Sequence, residues 1–130
     1  MGKKEMENYI DRVKFGRSYR KYAKDLAKFG DGLVSDLIKV FKESDEDVRR
    51  AAASSLGDVG PDARAAVPDL SVALKDEHCE VRKAAVDALR KIGPDAEAAV
   101  PALIEVTNKD TDADVRHAAD WALMNIRRKE

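Results

Sequence analysis

The sequence repeats itself about every 33 residues, and this period constrains the fold more than any other feature. "VGPDARAAVPDLSVALKD" at 59–76 returns as "IGPDAEAAVPALIEVTNKD" at 92–110. Gly60-Pro61-Asp62 precedes Gly93-Pro94-Asp95 by 33 residues, and Val67-Pro68 precedes Val100-Pro101 by 33. Leu37, Leu70 and Leu103 keep the same step, and Val48-Arg49, Val81-Arg82 and Val115-Arg116 recur at 33 and then 34. All four prolines fall in matched slots. A unit this short cannot enclose a core by itself, so the units must stack and bury one another's apolar faces.

Each unit reads as two helices. In the second, Val81, Ala85, Ala88, Leu89 and Ile92 lie on one face of a 3.6-residue period. Val48, Ala52, Ser55, Leu56 and Val59 repeat that face, as do Val115, Ala119, Ala122, Leu123 and Ile126. Ser44-x-x-Asp47 and Thr111-x-x-Asp114 have the spacing of capping boxes, with Asp in place of Glu. Gly60 and Gly93 stand where the second helices should end. The first helix of each unit uses Val34, Leu37, Ile38 and Phe41, then Val67, Leu70 and Leu74, then Val100, Leu103 and Ile104. Pro68 and Pro101 sit near its start, where a missing N–H costs little, and the alanines before them suit a short preceding turn.

The N-terminal part reads as a degenerate copy. "YAKDLAKFG" aligns with "AVDALRKIG", and Met6, Ile10 and Val13 suit an opening helix. The expectation is an all-α solenoid of about four helix pairs: 3–14 with 17–29, 31–43 with 45–59, 62–75 with 78–92, and 96–108 with 112–128. It forms one domain over 1–130, with a degenerate pair at 1–30 followed by repeats 31–60, 61–93 and 94–128.

Composition fits this reading. Charged residues make up 38% of the 130-residue chain and aromatics 5%, which suits closely packed helices rather than a wide core. A net charge of -1 and a pI of about 6.2 give no general drive toward nucleic acid or an anionic membrane. The charge is uneven: residues 1–30 carry nine Lys/Arg against four Asp/Glu, and the remainder fifteen against twenty-one. Cys79 is the only cysteine, which excludes an internal disulfide and a multi-cysteine zinc site. Met1–Ile10 is charged and lacks the apolar core of an export signal, and no apolar run reaches membrane-spanning length. A soluble, cytoplasmic protein is expected.

The Gly-Pro-Asp and Ala-Ala-Val-Pro signatures, with the Asp…Val-Arg run into an Ala-rich helix, resemble HEAT repeats. The closest variety is the bacterial and archaeal type called phycobilisome-lyase-like. The resemblance is strong over 31–128 and weak over 1–30. It implies a right-handed α-solenoid, an alpha-alpha superhelix, whose second helices line the concave side. It also implies a ladder of an acid before each second helix and an Arg within it. Asp76 and Arg82 are six apart, as are Asp110 and Arg116; the same offset from Arg49 gives Glu43. Ladder charges are structural on this reading, with each Arg expected to meet the acid six residues before it.

Candidate chemistry is sparse. Deoxyhypusine hydroxylases, a related HEAT-type family, hold two irons through His-Glu dyads on successive second helices. Here His117 is followed by Ala118, and the matching positions are Arg50 and Lys83. His78-Cys79 falls in a turn without the further ligands a metal site needs. Ser54 and Ser55 have no neighbouring His, and Gly30-Asp31-Gly32 reads as a turn between helices. No catalytic residue, metal or cofactor is assigned.

The outward face of the second helices is more informative. It offers Arg20, Lys24 and Lys28, then Arg50, Ser54 and Asp58, then Lys83, Asp87 and Lys91 beside Arg90, and last His117, Trp121 and Asn125 beside Met124. The expected partner-binding strip is Arg20, Lys24, Arg50, Lys83, Arg90, Lys91, His117 and Trp121. It leans basic and ends at an aromatic, a surface for an acidic segment of another protein anchored on Trp121. Two readings stay open: these are recognition residues, or they are ordinary solvated charges with Trp121 covering the end of the stack. Tyr9, Phe15, Tyr19, Tyr22, Phe29 and Phe41 all lie in the first 41 residues and suit an N-terminal cap core better than a base-stacking platform.

The function expected is a non-enzymatic interaction scaffold or adaptor that binds a protein or peptide, with no nucleic-acid or membrane partner. The alternative is an accessory or lyase-like subunit that acts with a partner enzyme.

Overall fold

A computed structural model describes residues 31–43 and 45–128. Among the described residues the regular structure is entirely helical. The elements are α1 (Asp31–Glu43), α2 (Glu46–Val59), a 3-10 segment (Gly60–Ala66), α3 (Val67–Ala73), α4 (Cys79–Ile92), a second 3-10 segment (Gly93–Ala99), α5 (Val100–Lys109) and α6 (Ala113–Ile126). No helix among the described residues is long and apolar enough to cross a membrane.

The helices form two layers. α2, α4 and α6 pack in succession against one another, while α1, α3 and α5 with the two 3-10 segments make the other layer. The inner faces of α2, α4 and α6, here called the second-layer helices, are buried as the 3.6-residue period requires. Val48, Ala52, Ser55 and Leu56 are buried, as are Val81, Ala85, Ala88, Leu89 and Ile92, and Val115, Ala119, Ala122, Leu123 and Ile126. Val59 is half-buried. Small residues bring the helices close: a Cβ on Gly57 would lie 3.0 Å from the Cα of Ala88.

Local chemistry sets the breaks. Gly60 and Gly93 adopt φ of 78° and 77°, a region that side chains disfavour, and their N–H groups close α2 and α4 on the carbonyls of Leu56 and Leu89. Pro61 and Pro94 follow at once. The chain then runs as 3-10 helix, not as the α-helix expected from residue 62 or 96. Pro68 and Pro101 lack the N–H that would tie the two segments into one α-helix, so α3 and α5 begin anew there.

The caps differ from the expected ones by one residue. Asp45 and Asp112 accept from the N–H of Val48 and Val115 at 3.1 Å, so the caps are these aspartates and not Ser44 and Thr111. Ser44 itself lies outside the described residues, and His78 begins α4 with no side-chain cap bond. Ile104, expected in the core, is 37% exposed, because no described element packs beyond α5. Arg20, Lys24, Lys28 and the whole degenerate pair at 1–30 lie outside the described residues.

Candidate functional site

The ladder is built between units. Arg49 at the start of α2 donates through Nε to Asp76 Oδ2 at 2.9 Å and through Nη2 to Oδ1 at 3.3 Å. Arg82 at the start of α4 does the same to Asp110, at 2.9 and 3.1 Å. Arg82 does reach residue 76, but at its carbonyl, 2.9 Å from Nη1. Arg116 likewise reaches the Asp110 carbonyl at 2.6 Å. The expected pairing of acid and base six residues apart is thus corrected. Arg82 seals the carbonyl of its own turn and takes the carboxylate of the next turn along the stack; Arg49 repeats the carboxylate bond and Arg116 the carbonyl bond.

The acids face that way because their own turns hold them. Oδ1 of Asp76 accepts from the His78 N–H at 3.0 Å, and Oδ1 of Asp110 from the Asp112 N–H at 2.9 Å. Burial pushes the Asp76 carboxyl up. The hydrogen bonds from Arg49 and the His78 N–H, with the charge of Arg49, outweigh burial and hold it below its ordinary value. The Asp76 hydrogen bond in turn raises Arg49 further above its own. The Arg82–Asp110 rung is the drier one, with side chains 12% and 5% exposed.

A shallow cavity of about 270 Å³ lies beside this rung, lined by Leu74, Asp76, Arg82, Val106 and Asp110 among others. Its Arg82 and Asp110 groups are already bonded to one another, so it presents no open polar constellation at that end. Among the described residues no three His, Cys, Asp or Glu side chains converge to hold a metal.

The predicted strip is only partly open. Arg50, Lys83 and His117 are exposed at equivalent positions of α2, α4 and α6. Among the described residues Arg50 makes a loose contact, 3.8 Å to Asp47. Lys91 is not an open member: its Nζ lies 3.2 Å from Asp58 and bridges α4 to α2. Arg90 lies over the Trp121 ring, its guanidinium carbon 4.7 Å from the centroid, so cation and aromatic form one plate. Trp121 remains 59% exposed.

A family model described as HEAT repeats matches residues 34–124, well over half of the chain. The chain belongs to the HEAT-repeat family. HEAT repeats are commonly protein-interaction scaffolds, and the family is typically non-catalytic. Among curated proteins no match is found. The features that sequence reasoning missed in this HEAT stack are the Arg90–Trp121 plate and the Asp58–Lys91 bridge. The bridge follows from the 33-residue step, which places Lys91 on Asp58, whereas the plate joins residues 31 apart and lies off that step.

Proposed function

We propose that the chain is an interaction scaffold that holds an acidic protein segment along the outward face of its second-layer helices. The single observation behind this reading is the Trp121 ring. It is more than half exposed, overlaid by Arg90, and lies on the same helical face as the cations Arg50 and Lys83 and the imidazole of His117. Large aromatics and arginines at an exposed surface are the side chains that most often dominate binding energy. Packed helices stand about 8–10 Å apart, and an extended chain rises about 3.3 Å per residue. A partner with acids about every third residue therefore meets each cation in turn.

Several finer points belong to the same proposal. The superhelix is right-handed and this face is its concave side; Arg20 and Lys24 lie outside the described residues. The repeat signatures support the phycobilisome-lyase-like variety, where a role beside a partner enzyme is the second reading.

Trp121 is the only tryptophan, so its emission reports directly on the site. Titration with a synthetic Glu-rich peptide bearing a leucine should shift that emission saturably at low salt. Lys83→Ala should weaken binding at least about fivefold, an effect on the order of 1 kcal/mol. A flat titration, or binding indifferent to Lys83→Ala, would contradict the proposal. Affinity capture from the source cell with mass spectrometry would then name the natural partner.

A further inference from the structure

Each second-layer helix turns a stripe of residues spaced four apart toward the next. On α2 the stripe is Arg49, Ala53 and Gly57: Arg49 pairs with Asp76, and Gly57 lies against Ala88 and Lys91 of α4. On α4 it is Arg82, Val86 and Arg90: Arg82 pairs with Asp110, and Arg90 covers Trp121 of α6. On α6 the same stripe is Arg116, Asp120 and Met124. Ala53 and Val86 are fully buried, whereas Asp120 is exposed and Met124 is 71% exposed. Among the described residues nothing covers this third stripe, and Ile104 of α5 is also partly exposed.

The stripe carries two unused charges of opposite sign. Nη1 of Arg116 is fixed on the Asp110 carbonyl, as Nη1 of Arg82 is fixed on the Asp76 carbonyl. In Arg49 and Arg82 the Nε–Nη2 edge grips a carboxylate; in Arg116 that edge has no carboxylate among the described residues. Asp120, one helical turn on, has no ion pair among them either.

A helix pair stacked as in the interior would put Asp120 where Val86 is buried, leaving its carboxylate dry and unpaired, which is costly. A symmetric mate avoids this. In a two-fold contact residue i meets j while j meets i, so opposite charges one turn apart on one stripe complement themselves.

We infer that α6 packs antiparallel on α6 of a second copy, about a two-fold axis that crosses the stripe midway between Arg116 and Asp120. Arg116 grips Asp120 of the partner subunit, and Asp120 receives Arg116 of the partner subunit. Met124 lies toward Ala113 of the partner subunit and closes the apolar part of the contact. The surface adjoins the His117–Trp121 end of the proposed strip, but the inference does not rest on that strip or its partner.

The test is analytical ultracentrifugation of the full chain over a concentration series. Wild type should reach twice the monomer mass. Arg116→Asp and Asp120→Arg should each be monomeric where wild type is dimeric, since each sets like charges opposite one another. A 1:1 mixture of the two should recover the dimer, because both cross-subunit pairs are then restored in swapped form. Circular dichroism checks that each variant is folded. If Arg116→Asp fails to fold, Asp120→Arg decides, since the Asp120 carboxylate has no ion pair among the described residues. Wild type remaining monomeric, Asp120→Arg dimerising like wild type, or a folded mixture failing to recover the dimer overturns the inference.

Discussion

Arg82→Ala is the most informative single change in the stack. It removes both bonds to Asp110 and the bonds to the carbonyls of Asp76 and Glu77. What remains is a carboxylate 5% exposed whose surviving partner is the Asp112 N–H. Stranding a buried charge by deleting its mate costs about 3–5 kcal/mol. Asp110 lies at the edge of the layer beside an open cavity, where water can reach it once Arg82 is gone, so the low end, about 3 kcal/mol, is expected. Because Arg82 ties the unit of α4 to that of α6, the loss should appear as early melting of the C-terminal helices. Urea unfolding followed by helical circular dichroism measures the total. Hydrogen exchange locates it.

Two controls test the pairing itself. Lys83→Ala, one residue on and exposed, should change stability by less than about 0.5 kcal/mol. Double-mutant cycles should find coupling of about 2 kcal/mol between Arg82 and Asp110, and less between Arg82 and the Asp76 side chain. A cost below about 1 kcal/mol for Arg82→Ala, or stronger coupling to Asp76, would refute the inter-unit ladder.

Three further outcomes follow from burial and geometry. Gly57→Ala places a Cβ 3.0 Å from backbone and 3.3 Å from Lys91 Cδ, so overpacking of about 1–3 kcal/mol should exceed a helix-propensity gain near 1 kcal/mol; denaturant midpoints should fall. Ser55 buries a hydroxyl without a partner in a slot that holds Ala88 and Ala122 elsewhere, so Ser55→Ala should raise stability by up to about 1–2 kcal/mol in the same assay. The Asp76 carboxyl is lowered in the fold, so its contribution is complete above its unfolded value near ~3.9 and fades as pH falls from there through the folded value. Asp76→Asn should be less stable than wild type at neutral pH, and the gap should narrow in acid. A gap that is unchanged at low pH would remove the charge from the account.

The sequence displays what repeats at a fixed step within one helix, and hides what depends on how two helices meet. Val81, Ala85, Leu89 and Ile92 were legible as a buried face because their spacing alone fixes their direction. Arg82 and Asp76 sit six apart, and the resemblance to HEAT repeats implies a pair between them. The carboxylate is turned by the N–H of His78, a backbone bond that no side-chain pattern announces, and it therefore faces Arg49, 27 residues earlier. The same limit explains Lys91: its helical phase points outward, yet the close approach allowed by Gly57 brings Asp58 within 3.2 Å. One rule recovers both. In a stack, a charge at a repeated position must be compared with the facing position one period away, and applying it at Arg116 leaves Asp120 as the nearest unused opposite charge. That comparison locates the stripe from which the two-fold contact is inferred, and charge reversal at Asp120 tests the rule as well as the contact.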